Sequence, residues 1–239
     1  MSGSFATGCE HLDTLFRRMN KCKMPEYKWR GPKAGTADRH AMQGGLAMVV
    51  APDRIAAMDA VRALLAASGV DPDAPMLADT PARVAASLRE LFAGVGEDAA
   101  APLRRGDAVP EGLDIVCLRG IEFRSVCAHH LLPFSGTVDI AYLPVARLVG
   151  IGAIVRTLEI LSTRPQIQEH LADELAQALH SGMEAAGALV VFEARHSCVA
   201  DRGPREAGSV FTTVASSGVL GADGRRQDAI ALLRRTRAG

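Results

Sequence analysis

The stretch Ile-Glu-Phe-Arg-Ser-Val-Cys-Ala-His-His-Leu-Leu-Pro-Phe-Ser-Gly-Thr-Val-Asp-Ile-Ala-Tyr, residues 121–142, decides the fold. Ile121, Phe123 and Ser125 alternate, and alternation resumes from Phe134 to Tyr142, so strands are predicted over residues 113–126 and 134–142. His129 and His130 fall in the connection between them. Toward the C-terminus, residues 149–161 read as a helix, and Pro165 reads as the start of a second helix through Leu171, Leu175 and Leu179, stopping before Gly187. Val190, Phe192 and the chain to Cys198 return to strand character, as do residues 209–214. The basic tail, residues 225–237, reads as a short terminal helix.

Toward the N-terminus, Ile55, Met58, Val61, Leu64 and Leu65 recur at helical spacing until Ser68-Gly69 stops them. Asp79-Thr80-Pro81 offers a cap with proline at the first helical position, and Val84, Leu88, Leu91 and Phe92 mark the apolar face of a helix ending at Gly94. Strands, two helices, then strands predict an antiparallel α+β unit preceded by helices. Three regions follow: a partly ordered extension over 1–51 with the turn-like run Arg30-Gly31-Pro32-Lys33, an N-terminal helical region over 52–112, and the α+β domain over 113–239.

Composition narrows the function. Apolar residues make up 48% and charged residues 23% of the 239, which excludes a disordered chain. Twenty-seven basic residues balance 27 acidic ones, so charge gives no reason to expect nucleic acid or a membrane as partner. The start, MSGSFATGCEHLDTLFRR, lacks the order of a secretory signal, and the longest apolar run, near residues 44–51, is too short for a bilayer; a cytoplasmic location is expected. Five cysteines without an export signal point to free thiols or metal ligands rather than disulfides. Cys9, Cys22 and Cys117 have no evident chemical partner. A second metal site at Cys9, His11 and Cys22 is outweighed by reading them as spare residues of the leader.

Cys127-Ala128-His129-His130 puts a thiolate and an imidazole within one turn, and Cys198 in the later strand offers a third soft ligand. Cys2His with an open fourth position is a catalytic zinc arrangement, and thiolate with imidazole favours zinc over magnesium or calcium. The spacing alone leaves His129 and His130 equally readable as structural residues of a polar turn. On a strand, His196 and Cys198 would face the same side. That suits a proton shuttle beside a metal, against the alternative of a core histidine.

Residues Cys127-Ala128-His129-His130-Leu131-Leu132-Pro133-Phe134, Ala141-Tyr142-Leu143-Pro144, Arg164-Pro165-Gln166-Ile167-Gln168-Glu169 and His196-Ser197-Cys198-Val199-Ala200-Asp201-Arg202-Gly203 closely resemble GTP cyclohydrolase I in order and spacing. The resemblance runs from the helix near Met58 to the tail and is tightest between Ile121 and Val219. It implies the tunnelling fold, an antiparallel sheet with two helices on one face, and a homo-oligomer, in this family a decamer. The implied reaction is zinc-dependent conversion of GTP to dihydroneopterin triphosphate with release of formate. Carried over position by position, the resemblance implies Cys127, His130 and Cys198 as zinc ligands and His129 with His196 as the acid/base pair. Gln168 and Glu169 correspond to the guanine pocket, where one carboxylate can accept both N1–H and the 2-amino group. Without the resemblance, Glu169 reads as a solvated helix-start residue. Arg156 and Arg202 resemble the triphosphate-binding arginines, whose guanidinium fork suits phosphate oxygens. A nitrile reductase of the same fold would need a nicotinamide cofactor, and nothing here resembles its site.

Two departures stand out. The family usually has Cys-Glu-His-His, whereas Ala128 removes the carboxylate beside the metal loop, a loss of support for ligand orientation. At Gly150-Ile151-Gly152-Ala153 the family has Gly-Leu-Ser-Lys, so Gly152 lacks a hydroxyl and Ala153 a charge that contact the triphosphate. Three readings result: an ordinary GTP cyclohydrolase I with compensating basic residues, a divergent relative that takes a less phosphorylated guanine or pterin compound or stops at ring opening, and a zinc-bearing binding protein without turnover.

Overall fold

The structure, a computed structural model, describes residues 52–234. Cys9, His11, Cys22 and the turn-like run in the extension, together with the end of the basic tail, lie outside the described residues. Helix α1 (Arg54–Ala67) starts where the Asp53 carboxylate accepts hydrogen bonds from the amides of Ile55 and Ala56 at 2.9 and 3.0 Å, pairing N–H groups that a helix start leaves open. It ends at Ser68, and Gly69 follows at φ 78°, a left-handed turn that glycine makes without a Cβ clash. The predicted apolar stripe is there but uncovered: no residue of α1 is buried, and Ile55 and Leu64 are 73% and 66% exposed. Among the described residues its main packing partner is α2 (Thr80–Leu91).

Pro81 occupies the first turn of α2 as predicted, but the Asp79 carboxylate accepts from Arg83 Nη2 at 3.0 Å instead of capping an amide. The helix stops at Leu91, ahead of Gly94. Gly94 is needed for close approach: a Cβ there would lie 2.0 Å from the Ile160 carbonyl oxygen. Its N–H donates to Thr163 O at 3.0 Å, and Arg164 donates to the carbonyls of Gly94 and Glu97 at 2.8 and 2.6 Å. Arg164 therefore staples the turn after α2 to the end of α3 (Ile151–Ser162).

Strands β1 (Val116–Cys127), β2 (Pro133–Leu143), β3 (Pro165–Gln166), β4 (Gly187–His196) and β5 (Phe211–Gly218) form one sheet in the order β3-β1-β2-β4-β5. All pairings are antiparallel except β1 with β3, where Cys127 lies opposite Gln166. Pro165 is thus an edge-strand residue and not the start of a helix, which corrects the sequence reading. The cause is local: the Gln166 carbonyl accepts the Ala128 N–H at 2.8 Å, drawing this segment onto β1 and delaying α4 (Gln168–Gly182) to Gln168.

The two long helices α3 and α4 cover one face of the sheet, as expected. Their Ile154, Leu158, Leu171, Leu175 and Leu179 pack with Phe123, Phe134, Val138, Ile140 and Phe192 in one buried cluster. Phe192 meets the edge of Phe123 at 4.9 Å, and Phe123 meets Phe134 at 5.9 Å, offset geometries that aromatic rings favour. Ile140 belongs to this face and its neighbour Ala141 to the other, where Leu189, Leu220, Ala229 and Leu233 form a smaller cluster. The last two come from α6 (Asp223–Arg234), the predicted terminal helix, which covers part of the second face.

Candidate metal centre

Cys127 is the last residue of β1 and is buried. Its N–H donates to Leu132 O at 2.9 Å, while its carbonyl accepts from Leu131 N at 2.8 Å and His130 N at 3.3 Å. This tight connection reaches β2 through Leu131 at φ 52°, a left-handed conformation that is rare outside glycine. The loop is therefore fixed from both ends, and it holds His130 Nδ1 at 3.9 Å from Cys127 Sγ.

Cys198 arrives by a different route. The sequence reading carried the strand through Cys198, but β4 ends at His196 and Ser197–Ala200 form a short helical turn, α5. His196 and Cys198 thus do not share a strand face. The turn is closed by Asp201, whose N–H donates to Ser197 O at 3.0 Å and whose carboxylate pairs with Arg195. Both Arg195 and Ser197 hold the Asp201 carboxyl below the usual carboxylate range. Pairing of β2 with β4 sets Phe134 opposite His196, so the start of one strand and the end of the other bring the two cysteines together.

The ligand atoms of Cys127, His130 and Cys198 all lie within 4.8 Å of one another. A tetrahedral zinc with Zn–S about 2.3 Å and Zn–N about 2.0 Å spaces its ligand atoms roughly 3.5–3.8 Å apart, so the group fits the ion with small adjustment. Burial, and then the neighbouring Cys127, push the Cys198 thiol up, while Arg202 pulls it down. Two thiolates side by side repel unless a cation sits between them.

His196 is half-buried beside this group. Its ring stacks on Phe134 with centroids 4.6 Å apart and planes 4° from parallel, and Phe211 meets it edge-on at 5.0 Å. Burial lowers its pKa, and the Glu169 charge partly opposes this. Gln168, expected in the guanine pocket, is buried with its amide engaged inside the chain: Oε1 lies 2.7 Å from His196 Nε2, and Nε2 donates to Phe211 O at 3.0 Å and Thr213 Oγ1 at 3.1 Å. Sequence reasoning missed these partners, since nothing in spacing links Phe134, Phe211 and Thr213 to His196. Glu169 follows at the exposed start of α4. His129 is exposed next to His130, their rings 6.2 Å apart. Arg156 is exposed on α3 and donates to Glu159 at 2.8 Å.

Gly152 and Ala153 occupy the first turn of α3. A Cβ on Gly152 would meet nothing within 4 Å, so the missing hydroxyl is not excluded by packing. Ala153 is half-buried against the main core.

Comparison with known proteins gives a consistent result. The family model for GTP cyclohydrolase I matches residues 57–234. A GTP cyclohydrolase 1 of Leifsonia xyli is 45% identical over 184 residues, covering 76% of this chain and 95% of the relative. One from Dehalococcoides mccartyi is 43% identical over 168 residues, covering 70% and 88%. One from Mycobacterium leprae is 41% identical over 186 residues, covering 77% and 90%. Among solved structures, the apo archaeosine synthase QueF-Like aligns with a TM-score of 0.36 at 19% identity, covering 45% of this chain and 97% of that one. With its family match over most of its length and relatives above 40% identity, the chain belongs to the GTP cyclohydrolase I family.

Proposed function

We propose that the chain is a zinc-dependent GTP cyclohydrolase I, which opens the guanine imidazole ring at C8, releases formate and forms 7,8-dihydroneopterin triphosphate. The observation that carries this reading is the convergence of Cys127, His130 and Cys198 in a member of that family. These three residues would hold zinc, which when bound makes water nucleophilic at neutral pH by lowering its pKa from about 15.7 towards 7.

The chain's own groups do the rest. Opening the ring requires protons at its nitrogens, a task we assign to His129 and His196. Burial lowers the His196 pKa, which favours the neutral form that can accept a proton. Glu169 reads the guanine edge, taking N1–H and the 2-amino group on one carboxylate. Arg156 and Arg202 bind phosphate oxygens. Arg156 is available for this because its pair with Glu159 is half-exposed on both sides, and such surface pairs contribute little.

The active form is a homo-oligomer, a decamer by family, in the cytoplasm. Support comes from the sheet edges: β3 is two residues long, and β5 exposes Phe211 and Val214, an edge that invites a partner strand. Gly152 and Ala153 favour a second reading, in which a less phosphorylated guanine compound is accepted or the reaction halts at the ring-opened formamidopyrimidine. Incubating zinc-loaded protein with GTP, GMP and guanosine and identifying products by mass decides between them. Absence of formate from all three would leave a zinc-bearing binding protein.

A further inference from the structure

We propose that Gln168 is a positioning residue that locks His196 in one tautomer and one ring orientation. The assignment follows from donors and acceptors alone. The Phe211 carbonyl can only accept, so the end of the Gln168 amide that lies 3.0 Å from it must be the NH2. The second hydrogen of that NH2 is directed to Thr213 Oγ1 at 3.1 Å. The amide cannot then be flipped, and its Oε1 is the atom facing His196 Nε2 at 2.7 Å. An amide oxygen donates nothing, so Nε2 must carry the hydrogen. Neutral His196 is therefore the Nε2–H tautomer, with its basic lone pair on Nδ1, and among the described residues Nδ1 has no hydrogen-bond partner.

Ring orientation is fixed by the same frame. Parallel stacking on Phe134 leaves rotation within the ring plane as the main freedom, and the bond to Gln168 removes it. Gln168 is itself rigid, being 2% exposed at the start of α4 and tied to β5 through two bonds. A group that exchanges protons gains from such pre-orientation, because a mis-set tautomer presents a hydrogen where a lone pair is required. This role rests on the reading of His196 as a proton-handling residue. It replaces direct guanine contact as the use of the Gln168 side chain.

Two measurements test it on the zinc-loaded, full-length protein. The first is long-range 1H–15N NMR of 15N-histidine-labelled protein, with His196→Asn to assign the signals. His196 is expected to show a protonated-type Nε2 and an unprotonated-type Nδ1; the opposite pattern or an averaged one overturns the proposal. The second compares Gln168→Met with Gln168→Glu, which keeps an acceptor oxygen near Nε2. Supporting partners of this kind typically carry about 10- to 100-fold in activity. The expected result for Gln168→Met is a kcat loss in that range with KM for GTP within about twofold and zinc content unchanged, and a partial recovery of kcat in Gln168→Glu. A rise in KM at constant kcat would make Gln168 a substrate contact and overturn the proposal. If the wild type forms no product, the proposed reaction fails, whereas the NMR pattern still decides the tautomer.

Discussion

Restoring the family's residues at the first turn of α3, Gly152→Ser with Ala153→Lys, is expected to raise activity on GTP relative to GMP. The structure accommodates both changes. Serine at 152 finds open space around its Cβ, and leaving glycine inside a helix gains about 0.5 kcal/mol of helix propensity. Ala153 is half-buried against the core, so a lysine there would lay its methylenes on apolar surface and carry its ammonium to the rim. The charge near a helix start costs about 0.3–1 kcal/mol through the macrodipole, which the gain at 152 largely offsets. A charge-assisted phosphate contact contributes about 1.5–3 kcal/mol, or one to two decades in affinity. The ratio of kcat/KM for GTP over GMP should therefore rise about 10- to 100-fold in the double variant. The added hydroxyl should also reduce any ring-opened formamidopyrimidine in favour of the fluorescent pterin. The assay is kcat/KM for GTP, GMP and guanosine with products resolved by chromatography. If the wild type already prefers GTP strongly and completes ring closure, the reasoning from Gly152 and Ala153 fails.

Other expectations are simpler to check. Cys127→Ala and Cys198→Ala should each abolish zinc binding, because two remaining ligands do not hold a structured site; full occupancy by elemental analysis in either variant would remove that residue from the ligand set. Sedimentation should show a large homo-oligomer, and a stable, active monomer would contradict the proposed assembly. Gly136→Ala should destabilise the protein by about 1–3 kcal/mol in a denaturant melt, since overpacking of this kind displaces backbone and the new Cβ would lie 1.8 Å from the Glu193 carbonyl oxygen in β4. A wild-type midpoint for Gly136→Ala would mean that β2 and β4 separate at little cost.

Much of the fold was legible because its elements obey simple periods. The alternation at Ile121, Phe123 and Ser125 and the leucines of α4 each answer to one buried face, and burial is what a period records. The misreadings came where backbone contacts between distant segments overrode local preference. Pro165 looks like a helix start until the Gln166 carbonyl meets the Ala128 N–H across the β1 edge. Cys198 looks like strand until Arg195 and Asp201 close a helical turn around it. The apolar stripe of α1 follows the helical period yet is not buried by α2, so its pattern records a cover that no described residue supplies.

The site divides along the same line. Ligand identity is a matter of residue chemistry, and cysteine and histidine announce themselves in a sequence; their convergence depends on the Leu131 connection, the pairing of β2 with β4 and the turn that carries Cys198, none of which the alternating runs encode. Orientation is different in kind. Whether His196 presents a lone pair or a hydrogen depends on an amide whose direction is set by the Phe211 carbonyl, a backbone atom common to every residue type. No pattern of side chains encodes that choice, because any residue at position 211 would offer the same acceptor. What the sequence does carry is the constraint on Gln168: the position must accept from an imidazole while donating twice to β5. Of the common side chains that reach as far, only glutamine supplies one acceptor and two donors without charge. The Gln168 side chain, a guanine-pocket residue by resemblance, has its amide engaged in this chain by His196, Phe211 and Thr213.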